Sequence, residues 1–308
     1  MKKDHCSHCF RYLGKLARAF GYVLVAALLI LPQTTLLSCS SKPVKKKTPD
    51  RIKIHRLREV SSTEMSSGPL NILLLGSDSR TESTTGLSDA IILVHINPKD
   101  KSAFLISFPR DSRVPVPGHK TDKINSAMFL GGPALTAKTI EDLTGIKIQY
   151  FAVTTFKGFT RMINNLGGVQ ITLEKSIRDR FAGANLGAGP QKLAGDQALA
   201  FCRSRHIPDG DFARAGHQQD LALAVFEQER PRMQPQDLFR LLNIFINDCE
   251  TNLSYKEAFQ LAMLISKVNP DKIKRVVLPG KVANIGGGSY VLLDENELKR
   301  IFAGIKNP

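Results

Sequence analysis

The chain has 308 residues, 42% of them hydrophobic, and a formal net charge of +15. That length allows one large domain or two small ones, and that apolar content excludes global disorder. The basic excess does not point to nucleic acid: residues 1–58 hold thirteen Lys or Arg against two Asp or Glu, leaving thirty against twenty-six for the rest, and the body carries no recognised nucleic-acid motif.

The leader comes first. His5, Cys6, His8 and Cys9 pack metal-ligand residue types together, but no second Cys/His pair completes a zinc site. Lys2, Lys3, Arg11, Lys15 and Arg18 precede an apolar run from Phe20 to Leu31, the length of a signal core and short for a spanning helix. Leu36-Leu37-Ser38-Cys39 then resembles a bacterial lipoprotein signal, in which Cys39 would be acylated. An uncleaved anchor helix through Leu37 is the alternative. Either places the body outside the cytoplasmic membrane by the positive-inside bias. Ser41–Pro69, rich in Lys, Pro, Ser and Thr, reads as a tether. The expected organisation is a signal or anchor segment over 1–39, a tether over 40–69 and one domain over 70–308. Of five cysteines, only Cys202 and Cys249 lie in the body, where apolar surroundings predict two buried small hydrophobes rather than a disulfide framework.

In the body, Asn71–Leu75, Ala90–Ile96 and Ala103–Phe108 are apolar runs of strand length and composition. Each meets charge at one end: Asp78 and Arg80 after the first, Asp89 before the second, Arg110 and Asp111 after the third. Paired in one sheet, the runs would gather these charges at its rim. Carboxylates with arginines at a sheet edge suit a metal and a phosphate better than an apolar core. Pro115, Pro117 and Gly118 make a loop, and Lys123 and Asn125 precede an apolar stretch ending in Gly131-Gly132. Gly132–Thr139 reads GPALTAKT, close to a phosphate-binding loop. Ala137 stands at the second glycine position and no strand leads into it, so an amphipathic helix over Ala134–Leu143 with a solvated Lys138 fits better.

Ile148–Thr154 predicts a strand, Phe156–Leu166 a helix stopped by Gly167-Gly168, and Val169–Leu173 another strand. The Gly- and Ala-rich Phe181–Pro190 predicts a mobile loop. Leu193–Arg205 has helical spacing and ends in Arg203 and Arg205, one of which could simply complement the helix dipole. In the next helix Asp211 stands where an N-cap belongs. Arg214 and Gln218, four apart, share a face near its start, which suits an anion or a plain solvated face. Ser254 with Glu257, and Asp294 with Glu297, predict capping boxes. Val276–Pro279 and Ser289–Leu293 predict strands in a last segment without clustered chemistry. The alternation of strands and helices implies one α/β sandwich around a central sheet.

Read in order, Asn71–Asp78, Ser88-Asp89, Ser107–Asp111, Lys123-Ile124-Asn125, Arg203–Arg205 and Asp211–Gln219 together resemble the LytR-CpsA-Psr family of bacterial cell-envelope proteins. The resemblance covers residues 70–305. It implies an α-β-α fold with a central mixed sheet and an apolar tunnel for a lipid. The implied activity is a phosphotransferase that moves a glycopolymer from a polyprenyl diphosphate carrier to a wall acceptor, such as a peptidoglycan muramic acid hydroxyl. Carried over, Asp78 and Asp89 would hold magnesium, and Asp89 is also the candidate base. Arg110, Arg203, Arg205, Arg214 and Gln218 would be catalytic. Arg80, Arg113, Lys123 and Asn125 would contact substrate. Departures are Leu87 and His217, where the family often has arginine, and the lipoprotein-like leader. Two rivals stand beside this reading: a hydrolase using water on the same diphosphate, and a carrier-binding or regulatory protein without turnover.

Overall fold

The three apolar runs do pair. The computed structural model describes residues 68–79, 84, 86–205 and 210–306, all within one compact unit. The leader, Cys39, nearly all of the tether and Arg80 lie outside these described residues. Strands β1 (Leu70–Ser77), β2 (Ser88–Asn97) and β3 (Ser102–Ser107) form an antiparallel meander. The loop expected near Pro115 is the turn of a small hairpin, β4 (Arg113–Pro115) with β5 (Thr121–Lys123).

Helix α1 (Ser126–Thr144) is longer than predicted and kinks where Gly131 and Gly132 leave helical geometry just before Pro133. Lys138 is half exposed and pairs with Asp142 one turn on, so the phosphate-loop likeness is a solvated helix face. β6 (Tyr150–Thr155) runs parallel to β1. Helix α2 (Phe156–Asn165) starts where the Thr155 hydroxyl accepts from the Gly158 N–H at 3.1 Å.

The expected mobile loop is a correction. After β7 (Val169–Leu173), strands β8 (Ile177–Asp179) and β9 (Ala184–Leu186) form a hairpin, and β10 (Gly189–Leu193) pairs with β7. The buried Asp179 carboxylate closes the hairpin, accepting from the Phe181 and Ala182 N–H groups at 2.9 and 3.0 Å. A side-chain bond to the backbone imposes order that Gly and Ala composition does not reveal.

Helices α3 (Gly195–Arg203), α4 (Gly210–Glu229), α5 (Pro235–Asp248) and α6 (Tyr255–Ile265) follow, with the short strand β11 (Glu250–Thr251) between the last two. Asp211 lies inside the first turn of α4 rather than before it. The Ser254–Glu257 capping box is present, and Asp294 accepts from the Glu297 N–H at 3.1 Å. β12 (Ile273–Val277) joins the sheet, β13 (Gly280–Ile285) and β14 (Gly288–Leu293) form a hairpin, and α7 (Glu295–Lys306) closes the chain.

The central sheet is mixed, with order β11-β6-β1-β2-β3-β12. Alternation sends successive residues of each strand to opposite faces. One face packs Leu73, Leu93 and Ile106 against Ile140 of α1 and Phe302 of α7. The other packs Ile72, Ile96 and Tyr150 against Leu238 and Leu242 of α5 and Leu261 of α6. A third cluster joins α2, α3, α4 and the β7–β10 strands through Ile163, Val169, Phe201 and Leu221. Cys202 and Cys249 are free thiols that line a cavity, half-buried rather than fully buried as expected, and burial pushes each up to about 12. Cys249 follows α5 rather than lying within a helix. Among the described residues, no helix is long and apolar enough to cross a membrane.

Candidate active site

The charged ends of the first three strands converge. Gly76 pairs with Ala90 but Ser77 with Ser88, so Asp89 is the extra residue of a β-bulge at the start of β2. Bulges of this kind re-aim a side chain at a strand end. The Asp89 carboxylate is ion-paired with Arg110, which directly follows β3 and Pro109. Asp78, at the matching end of β1, exchanges backbone contact with Leu87 and its carboxylate accepts the Leu87 N–H at 3.0 Å. A Cβ on Gly86 would stand 2.6 Å from that carboxylate oxygen. Only glycine lets the chain turn this close to Asp78.

Beyond Arg110 the network widens. Lys123 Nζ lies 2.9 Å from Asp111, and Arg110 Nε 3.8 Å from the same carboxylate. Asp211 lies 3.1 Å from Arg214 and 3.4 Å from Arg205. Arg214 is almost fully buried. Burial pulls its guanidinium down to about 10, with Asp211 opposing and Arg110 and Arg205 repelling it. It stays a cation at neutral pH, in surroundings that an added anion would improve. Arg110 Nε is buried without a hydrogen-bond partner.

A cavity of about 340 Å³ opens beside this cluster. Leu74, Ile92, Ala152, Phe159, Leu221 and Phe245 line it, from β1, β2, β6, α2, α4 and α5. Asp89, Arg203, Arg214 and Gln218 line it too, so the arginine cluster and the apolar cavity adjoin. Arg203 lies over the Phe156 ring, 5.0 Å from its centroid. The Gln218 amide faces the Asp89 and Cys202 carbonyls at 3.4 and 3.3 Å.

Not every candidate joins this cluster. Arg113 lies over the Tyr290 ring at 6.0 Å, which Lys123 also approaches at 5.6 Å. The last segment therefore does bring chemistry to the site's margin, contrary to its sequence. Asn125 is buried, and its backbone N–H donates to the Arg110 carbonyl at 3.2 Å. It anchors the loop through the main chain. Of the departures, His217 is buried and stacks on Phe201 with 4.6 Å between centroids, and Leu87 contributes its N–H to Asp78.

The donor set bears on magnesium directly. Among the described residues no group of three His, Cys, Asp or Glu could cage a metal. Asp78 and Asp89, each already holding a partner at neighbouring strand ends, are the two carboxylates a magnesium ion would have to share, with waters and phosphate oxygens completing its shell.

The LytR_cpsA_psr family model matches residues 34–307. The chain belongs to that family. Among LytR_cpsA_psr relatives, the polyisoprenyl-teichoic acid–peptidoglycan teichoic acid transferase TagU of Enterococcus faecalis is 27% identical over 292 residues, 94% of this chain and 95% of the relative. The regulatory protein MsrR of Staphylococcus aureus is 30% identical over 238 residues, 77% of this chain and 71% of the relative. A solved structure of the family protein YwtF (TagT) with bound octaprenyl pyrophosphate lipid superposes with a TM-score of 0.64 at 26% identity, covering 82% of this chain and 94% of that one.

The sequence places Asp111 among the rim charges without a role of its own and gives Asp211 only the place of an N-cap; the ion pairs of Asp111 with Lys123 and of Asp211 with Arg214 emerge only in the structure. Tyr290 carried no signal at all.

Proposed function

We propose that this chain is a magnesium-dependent phosphotransferase of the cell envelope. It moves a glycopolymer, as its glycosyl phosphate, from a polyprenyl diphosphate carrier to a wall acceptor such as peptidoglycan. The observation that supports this is the shared lining: Asp89, Arg203, Arg214 and Gln218 belong both to the polar cluster and to the wall of the apolar cavity. A ligand with an apolar chain and an anionic head suits that junction.

The prenyl chain would lie along Leu74, Ile92, Phe159 and Phe245, which exclude water from it. The diphosphate would sit among Arg110, Arg203, Arg205 and Arg214, whose planar forks pair with phosphate oxygens. Asp78 and Asp89 would hold magnesium, which neutralises diphosphate charge. The acceptor hydroxyl oxygen attacks the glycan-side phosphorus, the bond to the bridging oxygen breaks, and polyprenyl phosphate leaves with the electron pair. The arginines stabilise charge growing on that oxygen. Asp89 is the one carboxylate lining the cavity among the described residues, and is the group assigned to take the hydroxyl proton. Acylated Cys39, or an uncleaved helix over residues 20–37, would hold the domain beside the membrane where such a carrier lies.

The test is turnover by the full chain in detergent. The substrate is a short-chain polyprenyl diphosphate-linked sugar with magnesium, with and without peptidoglycan fragments, beside Asp78→Ala. Sugar phosphate on the acceptor, lost in the variant, is the expected result. Free sugar phosphate regardless of acceptor would make the protein a hydrolase. Tight binding without cleavage would make it a carrier-binding or regulatory protein; the relative MsrR carries the name regulatory protein.

A further inference from the structure

At the same rim of the central sheet as Asp89 lies a second cavity, of about 400 Å³, that the mechanism above leaves unused. Thr84, Thr155, Arg161, Asn247, Asp248 and Glu250 line it. Its place follows from the strand order. Glu250 pairs with Val153 of β6, β6 runs parallel to β1, and Thr155 sits opposite Ser77, the residue before Asp78. β11 lies three strands from β2, hence about 14 Å from the strand that carries Asp89. Thr155 and Cys249 line this cavity and the apolar one alike, so the two adjoin.

Asp248 is the residue that calls for an occupant. It ends α5, where the helix dipole disfavours negative charge. Its side chain is only 4% exposed, and the Arg161 guanidinium donates to its Oδ1 at 2.9 Å. Its other oxygen, Oδ2, is buried without a hydrogen-bond partner. The main chain here has no slack with which to relieve it. The Asp248 carbonyl accepts from the Thr154 hydroxyl at 3.0 Å, and a Cβ on Gly158 would stand 2.6 Å from that carbonyl. A buried acceptor left unpaired is costly, so a donor from outside the chain fits at Oδ2.

The wall selects the class of that donor. Asp248 and Glu250 repel an anion. Arg161 repels a metal ion, and among the described residues no three His, Cys, Asp or Glu converge on one. Among the described residues no aromatic ring lines the cavity to stack on a base. Carboxylate, amide, hydroxyl and guanidinium groups accept and donate together, as the hydroxyl and acetamido groups of a sugar require. Glu250 is exposed and accepts from the Thr84 hydroxyl, in the loop that follows Asp78.

We propose that this cavity is a sugar subsite that takes a neutral hexosamine ring, with Asp248 Oδ2 accepting a ring hydroxyl or acetamido N–H and Glu250 accepting a second hydroxyl. The ring belongs to the donor glycopolymer or to the wall acceptor, which present the same chemistry. The inference rests on the glycan-transfer function proposed above.

The experiment has two parts, both on the full chain in detergent. The first reads binding of di-N-acetylchitobiose, a neutral and peptide-free hexosamine pair, by saturation-transfer NMR without donor or magnesium. Wild type should bind it, and Asp248→Asn and Glu250→Gln should each weaken binding about fivefold or more, the scale of one hydrogen bond to a charged group. The second measures steady-state transfer from the prenyl diphosphate-linked sugar to glycan strands with and without their peptides. Each substitution should raise the KM of one glycan substrate by a similar factor, with kcat within about twofold. A rise for the peptide-free strands assigns the ring to the acceptor, and a rise for the donor assigns it to the glycopolymer. Glu250→Gln, at an exposed position, covers the case in which Asp248→Asn does not fold. Variants that match wild type in both parts overturn the proposal and leave the function standing. An effect confined to strands that carry their peptides also overturns it, since the occupant would then be a peptide amine. Sugar binding that the variants lose, without any wild-type transfer, sinks the transferase reading and leaves the subsite. Neither binding nor transfer by wild type overturns both.

Discussion

On one face of the central sheet Leu73, Leu93 and Ile106 are fully enclosed by side chains from α1 and α7. On the other, Leu74, Ile92 and Ala152 border a cavity of about 340 Å³. The same strands supply both sets, and both read as strand-core residues. What differs is the opposing layer: on the second side α2, α4 and α5 hold Phe159, Leu221 and Phe245 around a void rather than into it. Protein interiors are normally close-packed, so an apolar void beside the buried Arg214 is the feature to test for function.

The strongest way to break this contrast is at the cavity's polar rim. Arg214→Ala and Arg110→Ala should each lower turnover by about a hundredfold or more, the scale expected when a donor to developing charge is lost. Both proteins should retain a cooperative melt; near wild-type turnover in both would remove the site assignment.

Truncations compare the two faces directly. Leu93→Ala, on the filled face, should cost about 2–5 kcal/mol in denaturant unfolding. Leu74→Ala, already against empty space, should cost well under half of that, since fewer contacts are lost. Equal costs would mean that no cavity exists in solution. Filling is the converse: Ala222 of α4 also lines the cavity, and Ala222→Phe should weaken binding of a long-chain prenyl diphosphate by about tenfold and a single-isoprene analogue far less, with little change in melting temperature. The smallest effect belongs to Lys138→Ala. Its pair with Asp142 is exposed and screened by solvent, so melting temperature and activity should both be unchanged. A large activity loss there would reinstate the phosphate-loop reading.

Much of the scaffold was legible. The runs at Asn71–Leu75 and Ala90–Ile96 are apolar apart from Asn71 and His95, which hydrogen-bond to each other, because β1 and β2 are covered on both faces. The charges at their ends announced the rim, and Arg214 and Gln218 share a helix face by spacing alone. The β8–β9 hairpin was hidden because its strands are short and a single carboxylate, Asp179, holds its turn. The cavity was hidden for a different reason: a residue lining a void and one packed against another side chain obey the same apolar pattern.

Next to Gln218, on the same helix, stands Gln219. Its amide donates at 2.9 Å to both the Ser107 hydroxyl and the Val276 carbonyl and at 3.2 Å to the Leu105 carbonyl, clamping α4 to β3 and β12. Neighbouring helix residues point about 100° apart, so this clamp acts as an angular index for the face bearing Arg214 and Gln218. Gaining or losing one residue between Arg214 and Gln219 would swing the arginine off the cavity without altering its side chain. Gly216, where an added Cβ would meet open space, should therefore accept substitution, while the stretch accepts no change of length.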